Sequence, residues 1–248
     1  MFPSFMPSLP QLILRPYRVK ENNPIAQGMF RLLLETDDAE SLLTPFLAGQ
    51  WVYLHLLNED GSMWARAAYS IASPPSAGTR EIELAIKTEG DFTQRTQTLQ
   101  PGDAVQLSGP WGVFTLGKDA TSHALFAGGI GVTPLLSMIR EAQASAFNAH
   151  ITLFYSNRTA AASAYLDELR GLAKQYARLT LVPICTREAA HGWEGETRRI
   201  DAEMLNQYLG HGADEYLLCG SKEFMNGVRA LLLARGVDAK KIKQESFG

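Results

Sequence analysis

The sequence contains little cysteine, little histidine and no excess of charge of one sign. Its 248 residues include two cysteines, Cys185 and Cys219, and five histidines. Two thiols are too few for a disulfide framework, a structural zinc site or a cysteine-ligated iron–sulfur cluster. We therefore expect no bound metal, and any metal-centred redox chemistry would belong to another protein.

The balance of charge argues against two classes of partner. The formal net charge is −3, so the chain lacks the electrostatic attraction that nucleic acids and anionic membranes exert on basic proteins. Glycines and Pro134 interrupt the uncharged run over 120–139, which predicts strand, turn and helix and no membrane span. Prolines also interrupt the uncharged segment 1–14, so we expect no signal peptide and a cytoplasmic location.

The first half of the chain alternates short β-favouring runs with turn residues. Hydrophobic residues make up 46% of the chain and charged residues 20%, as is typical of a globular chain with a sizeable core. These runs predict an antiparallel β-barrel with one short helix over 92–99. Its strands are predicted over 11–20, 29–36, 50–57, 68–73, 80–87 and 104–107.

From Ser122 onward, strands alternate with helices. This alternation predicts a parallel sheet with helices on both faces, which binds ligands outside the carboxyl ends of its strands. We expect two domains, an antiparallel β-barrel over 1–118 and an α/β domain over 119–248. Strands are predicted over 124–127, 151–155, 179–184, 215–219 and 241–245, and helices over 134–146, 162–176, 201–208 and 222–235.

A glycine-rich turn over 128–134, with the sequence GGIGVTP, joins the first of these strands to the first helix. Glycines such as Gly129 and Gly131 allow positive φ and a close approach of a ligand to the backbone. Thr133 is predicted to cap the helix, and Pro134 suits its first turn. The free N–H groups of the helix start attract a pyrophosphate, although a turn without a ligand has the same pattern.

Five segments, in order along the chain, resemble those of the ferredoxin–NADP reductase superfamily. They are RAAYSIAS at 66–73, GPWGVF at 109–114, the turn at 128–134, LCG at 218–220 and ESF at 245–247. Each segment alone is a weak signal, but the ordered set spans almost the whole chain. The resemblance implies an FAD-binding barrel followed by a domain that binds NADPH or NADH.

In the barrel, the resemblance implies that Tyr69 stacks on the flavin ring, that Ser70 hydrogen-bonds its N5 edge and that Ile71 also contacts FAD. The superfamily usually has an arginine two residues before the tyrosine, where Ala67 stands here. Arg66 would reach the flavin pyrophosphate only if a bulge turned it to that face; otherwise another donor replaces it.

Such a donor is offered by the segment that contains Gly90, Phe92 and Thr93. It resembles the second pyrophosphate loop of the superfamily, where backbone N–H groups and a hydroxyl hold phosphate. A simple helix cap explains the same residues equally well.

In the second domain, the resemblance implies that Cys219 and Gly220 lie beside the nicotinamide, opposite the flavin. Glu245 would line the same cleft, and Phe247 would lie close to the flavin face. The expected catalytic residues are therefore Ser70, Cys219 and Glu245. An inert buried thiol and a solvated carboxylate are the alternatives for Cys219 and Glu245.

Two arginines follow strands of the parallel sheet, Arg158 after the second and Arg187 after the third. An arginine near the adenosine ribose favours a 2′-phosphate. The segment around Arg187 resembles NADP-preferring members, whereas the Glu-x-Phe ending resembles NADH-using ones. We favour NADPH on this basis.

These observations predict a stand-alone, monomeric flavoenzyme. It would take a hydride from NAD(P)H and pass single electrons to a ferredoxin or to the iron–sulfur component of an oxygenase, because flavin accepts two electrons together and releases them one at a time. One alternative is an NAD(P)H:flavin reductase with a diffusible flavin as product. Another is a non-catalytic nucleotide-binding subunit of a redox complex.

Overall fold

The computed structural model describes residues 13–145, 147–188 and 191–246. The first part of the chain forms a six-stranded antiparallel sheet, and helix α1 (Asp91–Gln97) follows its fifth strand. The strands are β1 (Arg15–Ala26), β2 (Met29–Glu35), β3 (Trp51–Leu57), β4 (Met63–Ser70), β5 (Glu81–Lys87) and β6 (Ala104–Trp111). They are arranged in the order β4-β3-β6-β1-β2-β5.

The sheet closes on itself directly after β4. Ile71 forms a bridge with Leu84 of β5, and the N–H of Ala72 donates to the carbonyl of Glu83 at 2.8 Å. Alternate side chains of the strands point inward, because successive residues of a strand face opposite sides. One apolar core results, and its fully buried members include Leu32, Leu34, Val52, Leu54, Ile82 and Leu107.

Several strands have bounds that differ from the prediction: β6, β8 and β9 run four residues beyond their predicted ends, and β1 and β4 are shifted. Strand β1 continues beyond residue 20 to Ala26, because its polar second half pairs with β2 as a hairpin. Within it, the Asn22 side chain donates to the carbonyls of Thr96, Gln97 and Leu99. Strand β4 lies earlier than the predicted 68–73, because its pairing with β3 begins at Met63. A polar run that is held in a strand only by backbone hydrogen bonds has no alternation of apolar residues, so its sequence does not predict a strand.

The second part of the chain forms a five-stranded parallel sheet in the order β11-β10-β7-β8-β9. Its strands are β7 (Ser122–Gly128), β8 (His150–Thr159), β9 (Leu179–Glu188), β10 (Glu215–Gly220) and β11 (Ile242–Ser246). The helices are α2 (Val132–Ala144), α3 (Leu166–Gln175), α4 (Ala202–Leu209) and α5 (Lys222–Ala234).

Helices cover both faces of this sheet. One apolar cluster joins α2 and α3 to one face, with Leu136 and Leu169 at its centre, and a second joins α4 and α5 to the other, with Leu205 and Leu232. The predicted fold class, an antiparallel barrel followed by a parallel α/β sheet, is therefore confirmed. Within the described ranges, no helix is long and apolar enough to cross a membrane.

The start of α3 differs from its prediction. The helix begins at Leu166 and not at 162, because β8 runs on to Thr159 and the alanines that follow form a 3₁₀ turn. Tyr165, which precedes the helix, has a φ of 59°, in the left-handed region that non-glycine residues rarely adopt.

Candidate functional site

The end of β4 presents Tyr69 and Ser70. Tyr69 is half-buried against the barrel core, and its ring stacks with that of Phe92 from α1 at a centroid distance of 6.2 Å. Burial raises the pKa of Tyr69 to about 12. Ser70 is buried, and its hydroxyl has no hydrogen-bond partner among the described residues. Because a buried unsatisfied hydroxyl is costly, Ser70 is suited to a ligand that supplies the missing partner.

Ile71 has a different environment from its two neighbours. Its side chain is fully buried in the barrel core, and its N–H donates to the carbonyl of Gln50 at 2.9 Å. The side chain therefore packs the barrel and does not face a cleft. The predicted contact of Ile71 with FAD finds no support in this geometry.

Arg66 lies on the face of β4 opposite to Tyr69. Arg66 pairs with His55 and Tyr69 with Val52, and the β3–β4 pairing between these positions is regular. The bulge that would turn Arg66 toward the flavin is absent from this stretch, and the Arg66 guanidinium lies 4.5 Å over the ring of Tyr53. Ala67 shares the face of Tyr69, since Ala67 and Tyr69 are two residues apart. The geometry thus disfavours the predicted role of Arg66.

The loop before α1 has room for a ligand. Gly90 has a φ of 79°, and a Cβ placed on it would meet no atom within 4 Å. The Thr93 hydroxyl donates to the Gly90 carbonyl at 3.0 Å and accepts from the N–H of Glu89 at 2.6 Å. Thr93 therefore shapes the loop, while the backbone around Gly90 remains open. The N-cap residue of α1 is Gly90 and no side chain caps the helix, so the alternative of a simple side-chain cap is wrong, while the phosphate loop stays a prediction.

The glycine-rich turn lies at the carboxyl end of β7, as predicted. Gly129 to Gly131 form a 3₁₀ turn that leads into α2. Gly129 has a φ of 55° and open space around it, whereas a Cβ on Gly131 would lie 2.3 Å from the carbonyl oxygen of Cys219. Only glycine allows this close approach of the turn to β10.

The predicted cap at Thr133 is wrong. The N-cap residue of α2 is Gly131, and the Thr133 hydroxyl donates back to the carbonyl of Ile130 at 2.8 Å. The helix starts earlier because the preceding 3₁₀ turn passes directly into it, which places Thr133 inside the first turn. Pro134 is also in the first turn, as predicted.

Cys219 and Glu245 are neighbours at the carboxyl edge of the parallel sheet. They lie opposite each other in the pairing of β10 with β11, and the next pair in the register is Gly220 with Ser246. Cys219 is fully buried, and burial, together with the charge of Glu245, raises the pKa of its thiol. Burial raises the pKa of Glu245 to about 7, and its Oε2 has no partner among the described residues. Phe247 lies outside the described residues.

Arg158 and Arg187 lie at the carboxyl ends of β8 and β9, and both are exposed. The two strands are tied there by the Thr186 hydroxyl, which donates to the Asn157 carbonyl at 3.2 Å. Arg198, by contrast, is engaged by the carboxylates of Asp201 and Glu203 at 2.9 and 2.7 Å. Arg158 and Arg187 are therefore the better placed of these cations to meet a phosphate.

One cluster was missed by the sequence reasoning. Arg140 of α2, Glu83 of β5 and Tyr165 meet in a largely buried contact between the two sheets. Glu83 and Tyr165 are 82 residues apart in the chain, and no local motif marks any of the three. These three residues can be recognised as a cluster only from their contacts in the folded chain.

The described geometry fits FAD and a nicotinamide nucleotide. The orphaned Ser70 hydroxyl and the open space at Gly90 lie in the barrel part, and the open Gly129 and unpartnered Glu245 oxygen lie in the parallel part. Family models agree with this division: residues 16–116 match the oxidoreductase FAD-binding domain, and residues 125–230 match the oxidoreductase NAD-binding domain. The fold and the site therefore define a flavin- and nicotinamide-dependent oxidoreductase.

The chain belongs to the ferredoxin reductase-like superfamily. It is 31% identical over 234 residues to ferredoxin–NADP reductase B of Sorangium cellulosum, and the match covers 90% of this chain and 93% of that protein. It is 28% identical over 214 residues to the reductase component of propane 2-monooxygenase from Mycolicibacterium goodii, covering 82% of this chain and 59% of that protein.

A solved structure shows the same fold. The FAD/NAD-binding domain of nitric oxide dioxygenase from Vibrio cholerae superposes with a TM-score of 0.83 at 21% identity, covering 94% of this chain and 98% of that one.

The propane monooxygenase reductase is considerably longer than the segment that it shares with this chain.

Proposed function

We propose that this flavoenzyme takes reducing equivalents from NADPH and passes them singly to a separate ferredoxin or to the iron–sulfur component of an oxygenase. The flavin would be held by the segment 1–118 and the nucleotide by 119–248. The observation that carries the proposal is the pairing of Cys219 with the half-buried carboxyl of Glu245 beside the glycine-rich turn. A nicotinamide bound there would meet a polarizable thiol and a carboxyl that can change its charge near neutral pH.

In the barrel, Tyr69 would provide a flat surface for the flavin ring, and the Ser70 hydroxyl would donate or accept one hydrogen bond at its N5 edge. The backbone of the Gly90 loop would meet the pyrophosphate in place of the missing arginine. Bound FAD supplies the chemistry that joins a two-electron donor to a one-electron acceptor.

In the parallel part, the turn at Gly129 and Gly131 would hold the nucleotide pyrophosphate close to the backbone, and Thr133 and Pro134 would shape the helix start below it. Cys219 would exclude water from the reacting ring. Glu245 would hold a proton at neutral pH or, once ionised, would stabilise positive charge that develops on the ring. Arg187, with Arg158 near it, would pair with the 2′-phosphate of NADPH.

The choice of acceptor is supported by two relatives. One is called a ferredoxin–NADP reductase and the other the reductase component of a monooxygenase. The described residues of this chain contain no group of three or more His, Cys, Asp or Glu side chains that could hold a metal ion.

The test compares acceptors with the FAD-loaded protein under NADPH. We expect ferredoxins or oxygenase iron–sulfur proteins of the source organism to accelerate NADPH oxidation, and free FMN or riboflavin to do so poorly. Rapid reduction of free flavin with no acceleration by any iron–sulfur protein would instead favour the flavin reductase. A protein that binds both ligands without NADPH bleaching the flavin would favour the non-catalytic subunit.

A further inference from the structure

Arg140 contacts four residues, and two of them, Ala72 and Glu83, lie in the other part of the molecule. Its Nε and Nη2 donate to the two carboxylate oxygens of Glu168 at 2.6 and 2.8 Å. Its Nη1 donates to the carbonyl of Ala72 at 2.9 Å and lies 3.2 Å from Glu83 Oε2. The guanidinium also lies 5.5 Å from the centre of the Tyr165 ring. Arg140 belongs to α2, whereas Ala72 and Glu83 belong to the barrel.

The partners of Arg140 are themselves connected. The Tyr165 hydroxyl donates to Glu83 Oε1 at 2.8 Å and Arg140 Nη1 lies 3.2 Å from Oε2, so each carboxylate oxygen of Glu83 has one partner. The Arg140 side chain is 15% exposed and that of Glu83 is 9% exposed. A charge buried to this degree is stable only when its partners are held in good geometry. The cluster therefore resists relative movement of α2 and the barrel.

The cluster around Arg140 is connected to both halves of the proposed reaction site. Ala72 lies two residues after Ser70, and the neighbouring carbonyl of Ser73 accepts from the Ser137 hydroxyl of α2 at 2.7 Å. At its other end, α2 begins at the glycine-rich turn. One rigid helix thus connects the nucleotide turn to the chain segment that continues Tyr69 and Ser70.

We propose that Arg140 is a positioning residue that holds α2 against the Ala72 segment and thereby sets the alignment of the nicotinamide with the flavin. The inference rests on the proposed function, because alignment matters only if a hydride crosses between the two rings. Hydride transfer requires close and directed approach, and a misplacement of about 1 Å can cost about a hundredfold in rate. Arginine suits the role since its planar fork binds Glu168 with two donors while a third reaches Ala72.

Arg140→Lys is the informative variant. It keeps the positive charge but loses the planar fork, so it cannot reproduce the paired bonds to Glu168 together with the bond to Ala72. Arg170→Lys on α3 is the matched control, because Arg170 forms an ion pair with Asp167, whose side chain is fully exposed. Tyr165→Phe removes only the hydroxyl bond to Glu83 and serves as a milder second variant.

In stopped-flow experiments, we expect Arg140→Lys to slow flavin reduction by NADPH about tenfold or more. The variant should still show a primary isotope effect with 4-deuterated NADPH, as expected if hydride transfer is the slowed step. FAD content and the Kd for NADP⁺ should stay within about twofold of the wild type, and Arg170→Lys should match the wild type throughout. Tyr165→Phe should show a smaller loss in the same step. Reduction at the wild-type rate in Arg140→Lys, or a loss that only follows weaker nucleotide binding, overturns the proposal.

Hydrogen exchange on the flavin-free protein gives a second readout. Arg140→Lys, but not Arg170→Lys, should speed amide exchange in the 72–76 segment and at the start of α2. If Arg140→Lys leaves amide exchange unchanged in these segments, Arg140 does not hold α2 against the barrel, whatever the rate of flavin reduction. A wild type that NADPH cannot reduce would refute the proposed function instead, and the exchange experiment would still decide whether Arg140 holds the two parts together.

Discussion

Cys219 and Glu245 lie directly opposite each other on the adjacent parallel strands β10 and β11. Cys219 is fully buried, and the Glu245 carboxyl has an oxygen without a partner among the described residues. Burial raises the pKa of both side chains, to about 7 for Glu245. A thiol and a carboxyl that titrates near neutral pH therefore share one edge of the sheet, next to the turn at Gly131.

Replacing Glu245 with glutamine should remove a pH dependence from the reduction of the flavin by NADPH. The ring that gives up a hydride becomes a cation, so an ionised carboxylate nearby stabilises the change. Because the raised pKa is about 7, we expect the wild-type reduction rate to increase from about pH 6 to about pH 8. The rate of flavin reduction is measured by stopped-flow absorbance at the flavin bands.

The Glu245→Gln profile should be flat over the same range. Glu59→Gln, at an exposed position in the barrel part, is the control and should keep the wild-type profile. If Glu245→Gln retains the full pH dependence, another group is titrating and Glu245 has no part in the step.

Replacing Cys219 with alanine should slow flavin reduction more than it weakens nucleotide binding. The thiol is packed in the apolar cluster that includes the start of α2, and its loss would leave room for a nicotinamide at this edge to shift. A tenfold loss of rate corresponds to about 1.4 kcal/mol in the barrier. Val182→Ala on β9, a comparable deletion in the same sheet, should have little effect on this step. Equal rates in Cys219→Ala and the wild type would leave Cys219 as a packing residue.

Introducing arginine at Ala67 should strengthen the binding of FAD. Ala67 shares the face of Tyr69, so a guanidinium there would be directed toward the flavin side and could pair with the pyrophosphate. A hydrogen bond to a charged group contributes about 1.5–3 kcal/mol, which predicts about tenfold tighter binding or more. Titration of the flavin-free protein with FAD, followed by fluorescence, measures the Kd.

Two further variants control for the face of the strand. Ala68→Arg places the same charge on the opposite side and should leave the Kd for FAD unchanged. Arg66→Ala should also leave it unchanged, because Arg66 lies over Tyr53. A marked loss of FAD in Arg66→Ala would show that Arg66 reaches the pyrophosphate after all.

Removing the arginine at the end of β9 should affect NADPH alone. Arg187→Ala should raise the KM for NADPH by about tenfold or more and change that for NADH little, because only the phosphate ester loses a charge-assisted partner. Arg178→Ala, at the amino end of the same strand, is the control. Steady-state rates of each variant, measured over a range of NADPH and of NADH concentrations, give the KM values that check this prediction. Equal effects on NADPH and NADH, or a wild type that prefers NADH, would contradict the assignment of the 2′-phosphate to Arg187.

The two kinds of sheet were predictable because their patterns are local. Apolar residues stand at every second position in β5 and at helix spacing in α5, so the type of each element follows from its own residues. The turn over 128–134 was predictable for the same reason, since its glycines mark the end of one element and the start of the next. Errors arose where backbone pairing alone extends a strand, as at the end of β1.

The order of the elements, the glycine-rich turn and the residue types at the ends of β4, β10 and β11 can all be read from the amino-acid sequence. Tertiary structure alone decided which of these residues meet. It placed Arg66 on the face of β4 opposite to Tyr69, because unbroken pairing with β3 preserves the alternation of side chains. It also brought Arg140, Glu83 and Tyr165 together from distant segments. Contacts of that kind depend on how two separate sheets pack, and no local pattern of residues encodes them.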